Sequence, residues 1–448
     1  MDTYRRPIQT RGAAAWAISA ALIAFYLILY LPDYGYLPDL LTQGPQAAGL
    51  GWFSKWHLYG ALYSLAMLVG GRIMLRRHGN SRYHRLRTYC LIAVQLSLAF
   101  ALPMVMKFLG QPELYLSYLW PISYDKLFPD TLAALPGWAA AWFVGGSLIV
   151  APLAAFYKGK RFYCSWICGC GGLAETFGDP WRHLSDKSAK AWRIEQVSVH
   201  AVLALALLMT GLVAASAISP SLAVSRAGTV EGERARIGLE IAAAAAEIKA
   251  MPEDQRAARA RQLADELSAR SGPAAQAVAP VVAAAQAQIR AAQADPAGAG
   301  WRVEQAAYAA MPYPALSGIA AKVKGFYAFF IGALFSGAAG VGLYPLMGSR
   351  VWCRFGCPMA ALLGLTQRLG HFRISVKKDM CIACGNCSAY CEMGIDVRQY
   401  AMANRDVRRA SCVGCGMCAH VCPRGVLRLE SRPDQGPGER VEEWVLDL

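Results

Sequence analysis

Six stretches of this chain stay apolar for long enough to cross a bilayer, and the charged residues fall between them. Ala13 to Leu31 is uncharged and ends at Pro32 and Asp33. About 20 apolar residues in a helix suffice for the hydrocarbon layer. Further stretches run from about Trp56 to Leu75, Thr88 to Met106, Gly137 to Tyr157, about Val197 to Ile218 and about Gly325 to Met347. Each predicts a membrane helix. The first lacks a convincing cleavage site and is expected to remain as a span rather than leave as a signal peptide. Trp52 and Trp56 form an aromatic pair ahead of the second stretch, and Tyr115, Tyr118, Trp120 and Tyr124 fill the loop after the third. Both groups read as interfacial, and the loop is expected to include an interfacial helix.

The polar intervals set an orientation. Basic residues gather at the head (Arg5, Arg6, Arg11), after the second stretch (Arg76, Arg77, Arg82, Arg85, Arg87), after the fourth (Lys158, Lys160, Arg161) and after the sixth (Arg350, Arg354). The positive-inside rule then places both termini in the cytoplasm of a bacterial inner membrane. The same clusters account for the net charge of +15 without nucleic acid. From about Ser221 to Lys322 the pattern changes to alanine-rich segments broken at Pro252, Pro273, Pro280 and Pro296. Leu263 and Leu267 share one helical face, so this interval predicts a helical hairpin or small bundle outside the membrane. It has no cysteine and no histidine, which makes it a spacer or a docking surface for an extracytoplasmic protein. The domains are therefore 1–220 (spans one to five), 221–322 (insertion), 323–370 (span six), 371–430 (a soluble metal-binding unit) and 431–448 (a tail).

That soluble unit carries the most specific chemistry. The runs Cys381-x2-Cys384-x2-Cys387-x3-Cys391 and Cys412-x2-Cys415-x2-Cys418-x3-Cys422-Pro423 have the spacing of a bacterial two-cluster ferredoxin. Three thiolates come from one tight loop, turned at Gly385 and Gly416, and the fourth crosses to the other cluster. One [4Fe-4S] cluster is thus assigned to Cys381, Cys384, Cys387 and Cys422, the other to Cys412, Cys415, Cys418 and Cys391. Zinc motifs more often carry paired cysteines with longer gaps. Glu392 stands where the first run would carry a proline.

Five more cysteines form a second constellation. Arg161-Phe-Tyr-Cys164-Ser-Trp-Ile-Cys168-Gly169-Cys170 follows the fourth stretch, and Arg350-Val-Trp-Cys353-Arg-Phe-Gly-Cys357-Pro358 follows the sixth. Both have arginine three residues ahead of the first cysteine and an aromatic just before it, a weak internal repeat suggesting two related membrane halves. Three readings stand open. Cys164, Cys168, Cys353 and Cys357, with Cys170 as an extra ligand, hold a further metal or iron–sulfur centre; they are redox thiols; or they are structural. Cys90 reads as a buried apolar cysteine.

These residues resemble the membrane-bound 4Fe-4S polyferredoxin family, NapH-like and similar to the carboxyl-terminal half of NosR. The resemblance covers the spans from about Trp56, both short motifs and the ferredoxin region, and leaves out the insertion. The first short motif departs from the family pattern, with Gly169 and Cys170 where proline is expected. No flavin-attachment motif of the NosR type is found. The resemblance implies a mainly α membrane protein of about six transmembrane helices with an α+β two-cluster ferredoxin-like cytoplasmic domain. It also implies electron transfer between membrane quinone and a redox partner, as a subunit of a quinone-linked oxidoreductase. The cytoplasmic partner would be a flavoprotein or a ferredoxin-type protein. The alternative is an accessory factor that reduces or assembles metal centres of a respiratory metalloenzyme, on the analogy of related copper reductases.

Histidines add less. His57 could accept a quinol proton near the outer surface, and His200 lies near the inner start of span five. His78 and His84 are expected to be solvated in the basic loop, and His371 and His420 to tune cluster potentials. No Ser-His-Asp set, phosphate loop or dinucleotide fingerprint is present, which excludes the common hydrolase and nucleotide-dependent classes.

Overall fold

The computed structural model describes residues 8–49, 55–108, 113–224, 229–269, 273–292, 298–311 and 314–431. Within them six helices are long and apolar enough to cross a membrane: Ala13–Tyr34, Lys55–His78, Arg82–Met106, Gly137–Lys158, Ala189–Ile218 and Leu316–Gly342. Trp52 lies outside the described residues. Three boundaries differ from the hydropathy pattern. Span three begins at Arg82, capped by Ser81, so Arg82, Arg85 and Arg87 belong to its first turns and not to a loop. Span five belongs to one helix, Ala189–Val224, whose amphipathic first turns precede the apolar run. Span six starts earlier and stops at Gly342; a separate short helix, Tyr344–Met347, follows with Pro345 in its first turn, where the missing N–H cannot extend a helix.

Among its described residues, the aromatic loop after span three is a series of turns followed by one short helix, Pro129–Ala134. Trp56 packs between the first two spans. Its ring meets Tyr30 at 5.8 Å and Tyr59 at 6.2 Å, tying span one to span two.

The insertion folds as four helices, Val230–Ala250, Glu253–Ser268, Pro273–Ala292 and Ala299–Ala310. Ile241, Ile248, Leu263, Leu267, Ile289 and Val303 share one core, so the small apolar side chains of this interval do bury together. Glu304 fastens this bundle to span six: it lies 2.5 Å from Lys249 and 2.6 Å from Lys324. Burial works to raise its pKa, but the two ammonium groups outweigh that and hold the carboxyl below its ordinary value. Glu304→Ala is expected to loosen the bundle by about 1.5–3 kcal/mol, the range for a charge-assisted hydrogen bond, reduced because Lys249 is half-exposed. Faster proteolysis within the insertion, with the spans left resistant, is the readout.

The carboxyl-terminal unit is organised by one antiparallel pair, Arg373–Val376 with Leu427–Glu430, in the register Arg373↔Glu430 to Val376↔Leu427. Arg373 Nη2 and Glu430 Oε2 close the open end at 2.7 Å. Ile374 also bridges Val407. The two cysteine runs lie between these strands, so one short sheet brings both ends of the unit together.

Candidate metal centres and an adjoining cavity

The two cysteine runs fold alike, 31 positions apart (381 to 412, 391 to 422). In each a short helix follows the second cysteine, Asn386–Ala389 and Met417–His420, entered through a left-handed glycine, Gly385 at φ 82° and Gly416 at φ 78°. Amide N–H groups of Ile395 and Val426 donate to the Cys391 and Cys422 sulfurs, both at 3.4 Å. Ala383 (φ 56°) and Gly414 (φ 62°) match in position. Only Gly414 must be glycine for space, since a Cβ there would lie 2.7 Å from Arg161 Cβ.

The folding of the runs sorts the eight thiols into two sets. Cys381, Cys384, Cys387 and Cys422 line one cavity. Cys391, Cys412, Cys415 and Cys418 line another. In the first set Cys384 is exposed. In the second set Cys418 is buried and Cys391, Cys412 and Cys415 are half-buried. Burial pushes the Cys412 thiol up to about 11 and Cys418 well above its ordinary value, so without a metal these sulfurs would keep their protons. Four converging thiols with backbone N–H groups aimed at sulfur fit a cubane cluster in each cavity.

Span three supplies the seat for the second set. Tyr83 Oη donates to Gly414 O at 2.9 Å, and Arg87 Nη1 donates to Cys415 O at 2.5 Å. His84, expected in solvent, is 1% exposed, its ring 4.8 Å from that of His420. His78 is partly buried beside the same ring. Both histidines are covered because the ferredoxin unit packs on this end of span three. His371 lies against Phe156 and Tyr157, away from both cysteine cavities.

A buried ionic knot joins this unit to both short motifs. Glu175 receives Arg87 at 2.8 Å, Arg182 at 3.0 Å and Arg350 at 2.7 Å. Glu392 receives Arg350 at 3.0 Å and Arg182 at 3.4 Å. Arg182 also binds Asp179 at 3.0 Å and points Nη1 at Cys415 Sγ, 4.0 Å away. Burial opposes the Glu175 carboxylate, but the three arginines overcome it and hold the group well below the ordinary carboxylate range. Glu392 goes the other way: burial raises it, Arg350 pulls it down, and the neighbouring Glu175 pushes it up again. Glu175, Glu392 and Cys415 place their ligand atoms within 4.8 Å of one another, yet the arginines already occupy the carboxylate oxygens, so this is an ion-pair knot. Arg354 is likewise buried, 2.7 Å from Glu195.

The two short motifs are also one fold repeated, 189 positions apart (164 to 353, 168 to 357). Cys168 N–H reaches Tyr163 O at 2.8 Å, and Cys357 N–H reaches Trp352 O at 2.9 Å. Each second cysteine caps a helix in extended backbone, ahead of Gly169–Glu175 and Pro358–Leu369. Gly169 stands in place of proline for a reason: a Cβ there would lie 2.2 Å from Tyr118 Oη. All four motif cysteines are buried in one core with Cys387 and Cys418, and Cys170 packs against it together with Cys381, Cys391, Cys412, Cys415 and Cys422. Cys90 is only half-buried, its thiol 3.8 Å from Trp166 O.

Above Cys170 lies a cavity of about 350 Å³ walled by Tyr26, Tyr30, Tyr59, Tyr63 and Tyr118. It runs from Cys170 and Trp352 to Asp33, Tyr34 and Asp125. From Tyr26 to Tyr34 is about 12 Å along a helix axis. Tyr63 Oη lies 3.0 Å from both Gly169 O and Gln95 Oε1, two acceptors for its one proton. Asp33 is paired with Lys55 at 2.5 Å. His57 does not line this cavity. His200 pairs with Gln196 O at 2.6 Å and lines a small gap beside Cys353.

Comparison with known proteins agrees with this geometry at the level of domains. Residues 374–429 match the family model of a 4Fe-4S dicluster domain. Residues 139–191 and 329–377, which contain the two short motifs, match that of a 4Fe-4S binding domain. YccM of Escherichia coli (strain K12), provisionally named an electron transport protein, is 41% identical over 46 residues, 10% of this chain and 13% of that protein. The chain therefore matches well under two thirds of that relative's length. No solved structure matches the chain. The matched domains support a protein with 4Fe-4S binding segments, and the described residues include six apolar helices of membrane-spanning length.

Proposed function

We propose that this chain is a membrane-anchored electron carrier, linking a quinone or quinol in the tyrosine-walled cavity to a redox partner on the ferredoxin unit. The supporting observation is continuity. Cys170 and Trp352 line the cavity, and the same packed core runs through the short motifs to both ferredoxin thiol sets. Cys381, Cys384, Cys387 and Cys422 would hold one [4Fe-4S] cluster, and Cys412, Cys415, Cys418 and Cys391 the other. Such clusters supply reversible one-electron chemistry at potentials set by burial and hydrogen bonds. The protein orients and insulates them. Arg182 and the Ile395 amide face sulfurs of the buried set, while exposed Cys384 brings the other set to the surface where a soluble partner can approach.

The ferredoxin unit carries exposed Lys377, Lys378, Arg405, Arg408 and Arg424, the last lining the same cavity as Cys384, which suits a flavoprotein or ferredoxin-type partner with an acidic docking face. The cavity fits a quinone headgroup in size and in its aromatic wall with a few polar groups at one end. With both termini in the cytoplasm of a bacterial inner membrane, the polar end containing Asp33 and Asp125 lies toward the outer side, and the insertion offers an outer surface for a further protein.

Gly332 provides the test. It lines the cavity, and a Cβ there meets only ordinary contacts, the nearest at 3.7 Å. Gly332→Phe is expected to weaken binding of a quinol analogue by about tenfold or more, equivalent to about 1.4 kcal/mol, with iron content unchanged. Equal binding by wild type and variant, measured in detergent, would remove the quinone from this reading and favour a metal-reducing or assembly role.

A further inference from the structure

We infer that Asp33 and Asp125 are the proton acceptors for a quinol oxidised in the tyrosine-walled cavity. The inference rests on the cavity reading above and adds the fate of the protons. Among the described residues, the cavity wall contains two carboxylates, Asp33 and Asp125, and no histidine, lysine or arginine. Its tyrosines cannot serve, because a phenol already holds its proton at neutral pH. His57, the acceptor expected from the sequence, is not part of that wall.

Both carboxylates line the cavity and also face water, with side chains 43% exposed at Asp33 and 38% at Asp125. Each is paired with a lysine: Lys55 Nζ lies 2.5 Å from Asp33 Oδ1, and Lys126 Nζ 3.1 Å from Asp125 Oδ2. The lysines are themselves held, Lys55 Nζ 5.7 Å from the centre of the Trp56 ring and Lys126 Nζ 5.4 Å from that of Phe143. An ionised carboxylate set between a cavity and water accepts a proton on one side and releases it on the other. Charge balance alone does not explain the arrangement. Asp39 also reaches Lys55, at 3.5 Å, without lining the cavity, whereas Asp33 does both.

The position of these acids sets the direction of travel. Asp33 and Lys55 stand at one end of spans one and two. The ferredoxin unit is seated at the other, where span two ends at His78 and span three begins at Arg82. Span two is about 35 Å long at 1.5 Å per residue. On oxidation both quinol O–H bonds break, and the two protons bond to carboxylate oxygens and pass to water. The two electrons leave one at a time toward the iron–sulfur centres, which are the oxidant, and a quinone remains. Protons and electrons thus depart toward opposite ends of the helices.

The test uses the full chain in detergent with its clusters assembled, duroquinol as donor and duroquinone as binding probe. Asp33→Asn and Asp125→Asn should each slow reduction by duroquinol about 100-fold, the low end for loss of a general base. Reduction by dithionite, which brings no quinol protons, should be unchanged. Duroquinone affinity should stay within about twofold of wild type, the mark of a residue that acts on the rate and not on binding. Asp39→Asn should react at the wild-type rate. Asp33→Glu should restore most of the rate, and added acetate part of it in Asp33→Ala, since that position is open to water. A wild-type rate in either asparagine variant, or a loss that neither Glu nor acetate restores, would overturn the inference and leave the cavity reading standing. Absence of duroquinone binding to wild type would overturn both.

Discussion

Glu175→Ala is expected to unseat the ferredoxin unit from the membrane helices. Glu175 is 1% exposed and holds three arginines, each from a different segment: Arg87 in span three, Arg182 after the first short motif and Arg350 before the second. Removing one partner of a buried pair costs about 3–5 kcal/mol, because the charge left behind cannot regain water. Three cations left with Glu392 and Asp179 place this variant at the upper end of that range. Thermal unfolding and proteolysis between span six and the ferredoxin unit would show it. A stable, protease-resistant Glu175→Ala protein would mean that the knot does not hold the unit in place. Glu392→Pro is the graded comparison. It places at 392 the residue that the second run carries at the matching position, Pro423. It should cost less than Glu175→Ala, since the Glu392 carboxyl is pushed toward its neutral form. The reverse change, Pro423→Glu, falls on an exposed position and should stay within about 0.5 kcal/mol of wild type.

That knot marks the boundary of what the sequence revealed. Apolar length predicts the number of spanning helices because a bilayer crossing is a one-dimensional property of the chain. Cysteine spacing locates the 4Fe-4S segments because a tight loop fixes three ligands locally. Neither signal contains the packing between distant segments. The Arg87, Arg350 and Arg354 charges were read as topogenic, a sound reading of their positions, yet all three are buried against carboxylates. Glu175 stands outside both signals. An acid in a segment where orientation needs only cations was the available clue. Glu392 and Gly169 looked like departures from a pattern; each turns out to answer a contact made elsewhere, with Arg350 and with Tyr118. His84 was misplaced for the same reason, since a polar loop end becomes interior once another unit covers it. The cavity is not legible in the sequence, because its tyrosines come from spans one, two and six and from the loop after span three.

Cys384→Ala and Cys415→Ala should each lower iron content by about four per chain, one cubane, but with different consequences. Cys384 is exposed, at the rim of its cavity. Its loss should leave the ferredoxin unit seated and remove only the surface cluster, abolishing electron exchange with a soluble partner while any quinol-linked change in the remaining signal persists. Cys415 lies under the knot, with Arg182 directed at its sulfur and Arg87 at its carbonyl. Its loss should remove the buried cluster and also loosen the unit, because the cavity it lines would lose its bound core. Iron and sulfide analysis with EPR during redox titration separates the two. If both variants kept the full iron complement, neither cysteine would be a ligand. If Cys384→Ala took away the signal that responds to quinol, the order of the two centres relative to the membrane would be reversed. The expected result places the exposed thiol set at the partner's side and the more enclosed set, which is seated on span three, nearer the apolar helices.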